Sequence, residues 1–467
     1  MSKILVTNYF RLNQIDQFRE SITEQSNTAY YVYVGRPQPY PNTDTIIPAP
    51  LHTTDEIDVV SYRNMVFGKR ISSNDVKVMV PRHDWESNTV YDAYRDSVDL
   101  SNSAYYVCVN AVSTYHVFKV LDNNNGAASI VKPEFSDTAA DDDFYSTPED
   151  GYVWKYMYSV DKTTFDRFAT DTHIPVVPNA NVAANAVSGA IDVITVSTRG
   201  SNYDTYFSNT FNAIDLRIGG NTVLYGLASG ASANDNFYTD SYLYIKSGTG
   251  VGQIRKIVDY IVIGTTKRVV LDNAFSTAPD VTSEYEITPG VDIVGDGTGA
   301  AARAIVNTAA GGANSIHMIE IVDRGLNYTY ASARVTGNTG GVSNTAVLSP
   351  IIGPKGGHGH NAEYELGGRY LGFSATFANT ENGTIPTDND YRTIGLLKNP
   401  AFANVTLTLS TVTGTYADGE LVTQDTTDAK GYVATFSGGN QLTLTNATGV
   451  FTTSRVVTGA TSNAVGT

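Results

Sequence analysis

The residues with the best spacing for metal binding are His358 and His360, in the segment Lys355-Gly-Gly-His-Gly-His. Neutral imidazole is a good zinc ligand, and two histidines separated by one residue can chelate an ion from a loop. No cysteine lies nearby, and the whole chain contains only 7 histidines and 1 cysteine. A structural loop packed against a neighbouring segment is therefore the favoured interpretation, and we predict no metal and no other cofactor.

Two further features have the residue types of a reactive or metal-binding site. Cys108 lies in the apolar run YYVCVNA, which is typical of a buried structural thiol rather than a nucleophile. Asp141, Asp142 and Asp143 form an acidic run. The run lacks the ordered ligand spacing of an EF-hand, so a solvated loop is favoured over a calcium site.

Glycine-rich segments at 248–253 (GTGVGQ) and 295–301 (GDGTGAA) are possible phosphate loops. Phosphate binding needs a following helix whose N–H groups point at the anion, whereas strand-like segments follow both. Tight β-turns are therefore favoured over nucleotide binding.

The sequence also lacks G-x-S-x-G, H-E-x-x-H and Walker motifs. We predict no catalytic residues and no enzymatic activity, although sequence cannot exclude a pair of acids that meet only in space.

The composition of the 467 residues limits the class of partner. Lys and Arg number 31 against 47 Asp and Glu, a formal charge of −16, which argues against binding to nucleic acid or to an anionic membrane. A single cysteine excludes an intrachain disulfide framework and fits a reducing compartment. The sequence has no long apolar run and no signal-peptide pattern at its start. The 30 tyrosines suit strands and contact surfaces.

Three helices are predicted, all in the first 180 residues. The first has an apolar stripe at three- and four-residue steps, with Asn8 or Thr7 as its cap. The stripe comprises Phe10, Leu12, Ile15, Phe18 and Ile22. The second begins at Thr53, where Thr53 and Glu56 form a capping box, and its stripe comprises Ile57, Val60 and Met65. The third starts at Asp161 and covers 163–168.

Strands dominate the rest of the sequence. Five β-branched and aromatic runs are predicted strands, at 30–34, 76–80, 105–109, 115–121 and 152–160. Strict alternation in Val405, Leu407 and Leu409, and in Leu442 and Leu444, predicts strands with one buried face. The fold class is therefore mainly β, with antiparallel sheets or sandwiches in several domains, an α+β core and a few N-terminal helices. Three domains are predicted. The core comprises residues 1–180 and 351–400, and a C-terminal β-repeat unit comprises 401–467. Residues 181–350 form an inserted β-rich domain, whose ends should lie close together.

Two internal repeats support this division. Residues 191–206 match 316–331, and both copies carry Arg-Gly-x-Asn-Tyr after an apolar strand, at 199–203 and 324–328. The glycine permits a turn at positive φ, and the tyrosine can pack back over the strand end. Residues 413–423 match 448–458, and the later copy stops about one strand short. A partner chain that covers the open edge, or a longer natural polypeptide, would account for this.

Several segments resemble the baseplate wedge subunit of T-even-like contractile-tailed phages, the product of gene eight. They are ILVTNYFRLNQIDQF (4–18), YVYVGRPQPYP (31–41), VMVPRHDW (78–85) and PEDGYVWKYMYSV (148–160). The segments at 353–370 and 387–400 resemble the distal part of longer, marine-phage-type members. Together these cover about half of the chain. The segment 247–287 resembles a β-module of phage tail proteins, and the repeat at 413–458 resembles short β-repeats of tail and fibre proteins. Shorter family members lack most of the 181–350 block and the 401–467 tail.

This resemblance implies a non-enzymatic virion protein of the tail baseplate that assembles in the host cytoplasm. Its implied partners are a second copy of itself, other wedge subunits and possibly tail-fibre proteins, with no nucleic acid and no membrane. We hypothesise that the dimer or wedge contacts involve Arg36, Tyr40, Arg82, Trp85 and Trp154, because Arg and aromatic residues anchor interfaces. Core packing is the alternative for both tryptophans.

Two other functions stay open at this stage. A tail-fibre component that binds a receptor or glycan could use Tyr203, Tyr206, Tyr328 and Tyr330 to stack on sugars. A depolymerase would need two neighbouring carboxylates, and the absence of a short regular solenoid repeat argues against it.

Overall fold

The computed structural model describes residues 8–23, 28–40, 63–135, 144–203, 207–307, 314–337, 344–377, 388, 390–399 and 404–467. The chain is mostly β, with several antiparallel sheets and few helices, which confirms the predicted fold class. Two compact units are present: Met1–Phe18 with Val76–Ser374, and Arg19–Asp75 with Ala375–Thr467. The division into domains expected from the sequence stays a prediction.

The first predicted helix is present as α1, Asn8–Thr23. Leu12 and Ile22 are buried, and Ile15 packs against the main hydrophobic cluster of the first unit. Phe10, in contrast, is 54% exposed, so the buried stripe is shorter than predicted. Asn8 is the first residue of the helix, and Thr7 lies outside the described residues, as do Thr53, Ile57 and Val60 of the second predicted helix. Met65, the last residue of that predicted stripe, begins a strand instead, so the helix does not extend to it.

Helix α2, Lys162–Phe168, confirms the third predicted helix. Asp161 caps it by accepting a hydrogen bond from the Thr164 N–H at 2.8 Å. Two short helices follow: α3, Ala180–Ala184, is capped by Asn179, and α4, Ala362–Glu365, is capped by Asn361. None of the helices in the described part of the chain has the length and apolar character that crossing a lipid bilayer requires.

Eight strands precede residue 180 among the described residues, and they include all five that the sequence predicts. They are β1 Tyr30–Gly35, β2 Met65–Arg70, β3 Val76–Pro81, β4 Tyr106–Asn110, β5 Thr114–Asn123, β6 Tyr145–Ser146, β7 Tyr152–Asp161 and β8 His173–Pro175. An antiparallel sheet of order β4-β5-β7-β6 forms the centre of the first unit. Hydrophobic clusters cover its central strands so fully that most side chains of β5 and β7 are buried.

Residues 191–352 form two six-stranded antiparallel sheets. Their strands are β9 Ile191–Thr198, β10 Phe207–Thr210, β11 Leu224–Gly226, β12 Tyr242–Ser247, β13 Ile254–Ile263, β14 Thr266–Leu271, β15 Glu284–Thr288, β16 Gly290–Gly295, β17 Thr298–Asn307, β18 Ser315–Leu326, β19 Ala331–Thr336 and β20 Val347–Ile352. The orders are β10-β15-β12-β13-β14-β11 and β18-β17-β16-β19-β20-β9. Ile191 pairs with Ile352, so the ends of this segment lie side by side, as expected. Both glycine-rich segments lead into strands, β13 and β17.

The remaining strands are β21 Tyr370–Phe373, β22 Thr393–Lys398, β23 Val405–Thr408, β24 Val412–Thr413, β25 Leu421–Gln424, β26 Lys430–Phe436, β27 Gln441–Thr448, β28 Val457–Gly459 and β29 Val465–Gly466. They complete sheets of order β21-β3-β8 and β2-β1-β22, and form a seven-stranded sheet of order β23-β27-β26-β25-β28-β29-β24. The predicted alternating strands pair with each other, with Val405 opposite Leu444 and Leu407 opposite Leu442.

Both sequence repeats are structural repeats. In the first, Gly200 and Gly325 have φ of +63° and +61°, and Asn202 and Asn327 both have +63°. Tyr203 and Tyr328 are buried against these turns, as the sequence predicts. In the second, strands β25 and β28 occupy matching positions and pair antiparallel, with Thr423 opposite Thr458.

Candidate functional site

The first unit encloses a group of ionisable side chains, which we call the buried charge cluster. The members are Lys119, Lys155, Asp192, His358 and Glu365. Each of these residues is 6% exposed or less. Charged groups are almost never fully buried unless they are paired, so this is the chemically richest place in the unit.

Four separate parts of the chain supply these residues. Lys119 on β5 and Lys155 on β7 are direct cross-strand partners in the central sheet. Asp192 comes from β9, and Glu365 is the last residue of α4. His358 lies in the loop that leads to α4. The cluster therefore joins the central sheet to the start of the 191–352 segment and to the segment that follows it.

Lys119 is in contact with three groups inside the cluster. Its Nζ lies 2.7 Å from Nδ1 of His358, forms an ion pair with Oε2 of Glu365, and lies 4.2 Å from the ring centroid of Tyr94. Burial lowers the pKa of Lys119, although the neighbouring Glu365 carboxylate acts in the opposite direction.

The carboxylate of Glu365 is held by backbone donors as well as by Lys119. The Gly359 N–H lies 2.9 Å from Oε1 and 3.0 Å from Oε2, and the Asn361 N–H donates to Oε1 at 3.1 Å. Gly359 has φ of +92°, and a Cβ there would lie 2.5 Å from Cγ1 of Val182. This close approach requires glycine at position 359.

Asp192 forms the other end of the cluster. It accepts a hydrogen bond from the Tyr145 hydroxyl at 2.5 Å and pairs with Nε of Arg324 at 3.3 Å. The Arg324 guanidinium lies 3.9 Å above the Tyr145 ring centroid. Burial and the Asp192 charge raise the pKa of Tyr145 well above its usual value, so the phenol stays protonated as a donor.

The other two side chains of the cluster, His358 and Lys155, have lowered pKa values, which favour their uncharged forms. Burial, followed by the charges of Lys119 and Lys155, lowers the pKa of His358 well below its usual value. Burial lowers the pKa of Lys155 to about 7, and its Nζ lies 4.0 Å from the ring centroid of Tyr145. A neutral imidazole with an acceptor nitrogen beside the Lys119 amine is therefore the expected state of His358.

The metal-binding alternative for the two histidines finds no support in their placement. His358 is buried and bonded to Lys119, whereas His360 is exposed. In the described part of the chain, no group of three or more His, Cys, Asp or Glu side chains is placed to hold a metal ion. The favoured interpretation, a structural loop packed against a neighbouring segment, describes His358 correctly.

Cys108 is buried, and burial raises the pKa of its thiol to about 12, which confirms a structural thiol. Tyr203 and Tyr328 are buried as well, so neither can stack on a sugar, whereas Tyr330 is 65% exposed. Tyr206 and the acidic run at 141–143 lie outside the described residues.

Arg36 and Tyr40, two of the predicted interface residues, contact each other. The Arg36 guanidinium lies 4.3 Å from the Tyr40 ring centroid, and the Arg36 N–H donates to the carbonyl of Asn64 at 2.9 Å. Their assignment to an interface stays a prediction.

Arg82 and Trp85 line a common surface groove of about 350 Å³, together with Asp84, Tyr115 and Lys132. Arg82 pairs with Asp84 at 2.8 Å, and the half-buried Trp85 donates from Nε1 to the Ser129 hydroxyl at 3.1 Å. Both side chains are therefore available at the surface, although no partner is shown.

Trp154 corrects the interface prediction. Its side chain is 0% exposed and packs in a hydrophobic cluster with Tyr91 and Tyr152. Strand β7 is covered on both faces, so Trp154 cannot touch a partner without unfolding, and core packing is its role.

The sequence did not single out the buried charge cluster, although a signal was present. Lys119 and Lys155 each interrupt an apolar strand, in HVFKVL and YVWKYMY. A lysine inside a strand that is buried on both faces must find a partner, but the sequence does not say which one.

Known proteins give little further information about the family or function of this chain. No family model matches the chain, and no curated protein matches it. Among solved structures, the chain is similar to one from "Virion of native gene transfer agent (GTA) particle", with 11% identity and a TM-score of 0.15 over 56% of this chain and 80% of that chain. A TM-score this low carries no argument, so the resemblance to baseplate wedge subunits stays a prediction from sequence.

Proposed function

We propose that this protein is a structural subunit of a contractile phage tail, located in the baseplate wedge and assembled as a homodimer through protein–protein contacts. The resemblance of its N-terminal segments to wedge subunits supports the assignment. The structural observation that carries it is the buried charge cluster. Its amine, imidazole and carboxylates are buried and contact one another inside the protein, which supports a structural role for them.

A wedge subunit must transmit force between neighbours without deforming, and the first unit has contacts suited to this. The two arginines of the first repeat both reach the central sheet from the inserted segment. Arg199 donates from Nη2 to Oδ1 of Asn124 at 2.9 Å, and Arg324 stacks on Tyr145. Together with Asp192, these contacts join the inserted sheet that contains β9 and β18 to strand β6 and to the turn after β5.

The groove lined by Arg82 and Trp85 is the proposed contact surface of the first unit. Arg and Trp are enriched among the residues that dominate interface energies. An isologous dimer buries the same patch on both copies, and obligate interfaces commonly bury about 2,000 Å² or more. A 350 Å³ groove lined by both aromatic and charged side chains suits part of such a contact.

Binding of a glycan or receptor by a tail-fibre component is the alternative function. Burial of Tyr203 and Tyr328 removes two of its four candidate stacking residues, and Tyr330 is exposed. The assembly role is therefore the better supported of the two.

Light scattering on the full chain at micromolar concentration tests the homodimer. We expect about twice the 50.2 kDa chain mass, and we expect Arg82→Glu to shift the protein towards monomer. Arg334→Glu is the matched control, because Arg334 is exposed on the inserted segment. A monomer over the whole concentration range would contradict an obligate dimer.

Absence of the protein from purified virions, or turnover of a polysaccharide by the purified chain, would contradict the assembly role itself.

A further inference from the structure

Lys119 and Glu365 place an amine against a carboxyl group in the protein interior. The two residues are 246 positions apart in the chain and are 0% and 3% exposed. An amine and a carboxylic acid condense slowly in water because the ammonium and carboxylate forms dominate and water competes. A buried pair in fixed contact reduces both obstacles, because burial disfavours the charged forms and the two groups need no encounter by diffusion.

The groups around the pair are those that amide formation requires. Nδ1 of His358 lies 2.7 Å from the Lys119 Nζ, where a neutral imidazole can accept an amine proton. The Gly359 and Asn361 N–H groups lie 2.9–3.1 Å from the Glu365 oxygens, where they can stabilise negative charge on a tetrahedral intermediate. The Tyr94 ring lies below the amine and limits its movement.

We propose that Lys119 and Glu365 join through an intramolecular isopeptide bond. Proton transfer from the ammonium to the carboxylate gives a neutral amine and a neutral acid. The amine lone pair attacks Cδ of Glu365, and His358 removes the second amine proton and returns it to the departing hydroxyl. A C–N bond forms, a C–O bond breaks and one water molecule leaves. The reaction changes no oxidation state and needs no co-reactant.

Lys155 provides an internal contrast. It is 1% exposed and lies directly opposite Lys119 in the sheet. Its Nζ contacts the rings of Tyr145 and Phe144, and none of the ion pairs among the described residues includes it. Both lysines are therefore buried, but of the two it is Lys119 that contacts a carboxyl group. Only Lys119 is expected to react.

The bond would close a covalent loop that includes the whole inserted segment. It would tie the central strand β5 directly to α4, so that pulling on the segment between them could not separate these elements. Such a link also reduces the conformational entropy of the unfolded chain, as any long-range cross-link does. The inference does not depend on the tail assignment.

Mass spectrometry of the denatured full-length protein tests the bond. We expect a mass lower than the sequence mass by one water molecule, about 18 Da. After trypsin digestion, Lys119 should remain uncleaved and should carry the peptide 356–369, whereas cleavage after Lys155 should be normal. The Lys119→Arg variant should have its full sequence mass, even if it folds poorly. The exposed-site control Lys132→Arg should retain the loss of water.

Two results would overturn the proposal. One is a wild-type protein at its full sequence mass. The other is a loss of water that maps elsewhere, for example to a succinimide at Asp150-Gly151, with peptide 356–369 recovered in its free form.

Discussion

Gly325 and Gly264 have the same backbone φ of +61°, but their surroundings are opposite. A Cβ on Gly325 would lie 2.5 Å from the Ala300 nitrogen and 2.6 Å from the Thr298 oxygen, whereas a Cβ on Gly264 would have no atom within 4 Å. Gly325 is the next-to-last residue of β18 in the second repeat copy, and Gly264 lies in the β13–β14 turn. Comparing substitutions at the two positions therefore distinguishes the free-energy cost of a left-handed backbone from the cost of a steric clash.

Replacing each glycine with alanine should therefore destabilise the first unit to different degrees. Gly264→Ala should cost about 1 kcal/mol, because only the left-handed backbone is strained. Gly325→Ala should cost about 1–3 kcal/mol more, because its Cβ would meet backbone atoms that cannot rotate away. Urea unfolding of both variants measures the difference. Equal losses would show that the close packing around Gly325 is not present in solution.

The two tryptophans should respond differently to truncation. Trp154→Ala removes a fully buried ring and should cost about 3–5 kcal/mol of unfolding free energy. Trp85→Ala removes a half-buried ring with one hydrogen bond, so the fold should lose less, while self-association weakens. Chemical unfolding and light scattering separate the effects. A Trp85→Ala protein with unchanged association would remove Trp85 from the proposed interface.

Lys155 should make stability rise with pH above neutrality. Its folded pKa is lowered to about 7 by burial, whereas its ordinary value is 10.5. Between these values the unfolded state binds more protons than the folded state, so increasing pH favours folding, by at most about 1.4 kcal/mol per pH unit. Lys155→Met should lack this contribution.

The measurement is the unfolding free energy of the wild type and Lys155→Met from pH 7 to pH 9. The advantage of the variant over the wild type should shrink steadily across that window. Lys132→Met, at an exposed site, should follow the wild-type curve. A constant difference between wild type and Lys155→Met would mean that Lys155 is charged in the folded protein at pH 9.

Glu420 should titrate at unusually low pH. Burial alone would raise its pKa, but hydrogen bonds from the Ser462 hydroxyl and from the Ser462, Ala417 and Thr461 N–H groups outweigh it and lower the pKa to about 2. Its stabilising effect on the C-terminal sheet is complete above pH 4.5 and disappears as the pH falls towards 2. Carbon-13 NMR of the Glu420 carboxyl checks the midpoint, and Glu420→Gln should lose the associated stability change between pH 4.5 and 2. A midpoint near 4.5 would contradict these contacts.

Local sequence patterns predicted much of the secondary structure. The β-branched and aromatic runs identified five of the eight described strands before residue 180, and the Asp161 cap identified the start of α2. Alternation in Val405, Leu407, Leu442 and Leu444 indicated strands with one buried face, and the structure shows that these two strands are antiparallel neighbours in one sheet. These features depend on neighbours within a few residues, so they can be read along the chain. The assignment of Trp154 to an interface was wrong, because the enrichment of tryptophan at interfaces does not show whether a particular tryptophan lies on a strand that is covered on both faces.

The sequence by itself determined that this is a β-rich chain with two internal repeats, a buried thiol and turns that need glycine. Only the tertiary structure decided that Lys119, Asp192, His358 and Glu365 meet, and that Trp154 lies in the core. The physical reason is that backbone geometry and alternation act locally. The partner of a buried charge depends instead on which distant segments pack together, and Lys119 and Glu365 are 246 positions apart.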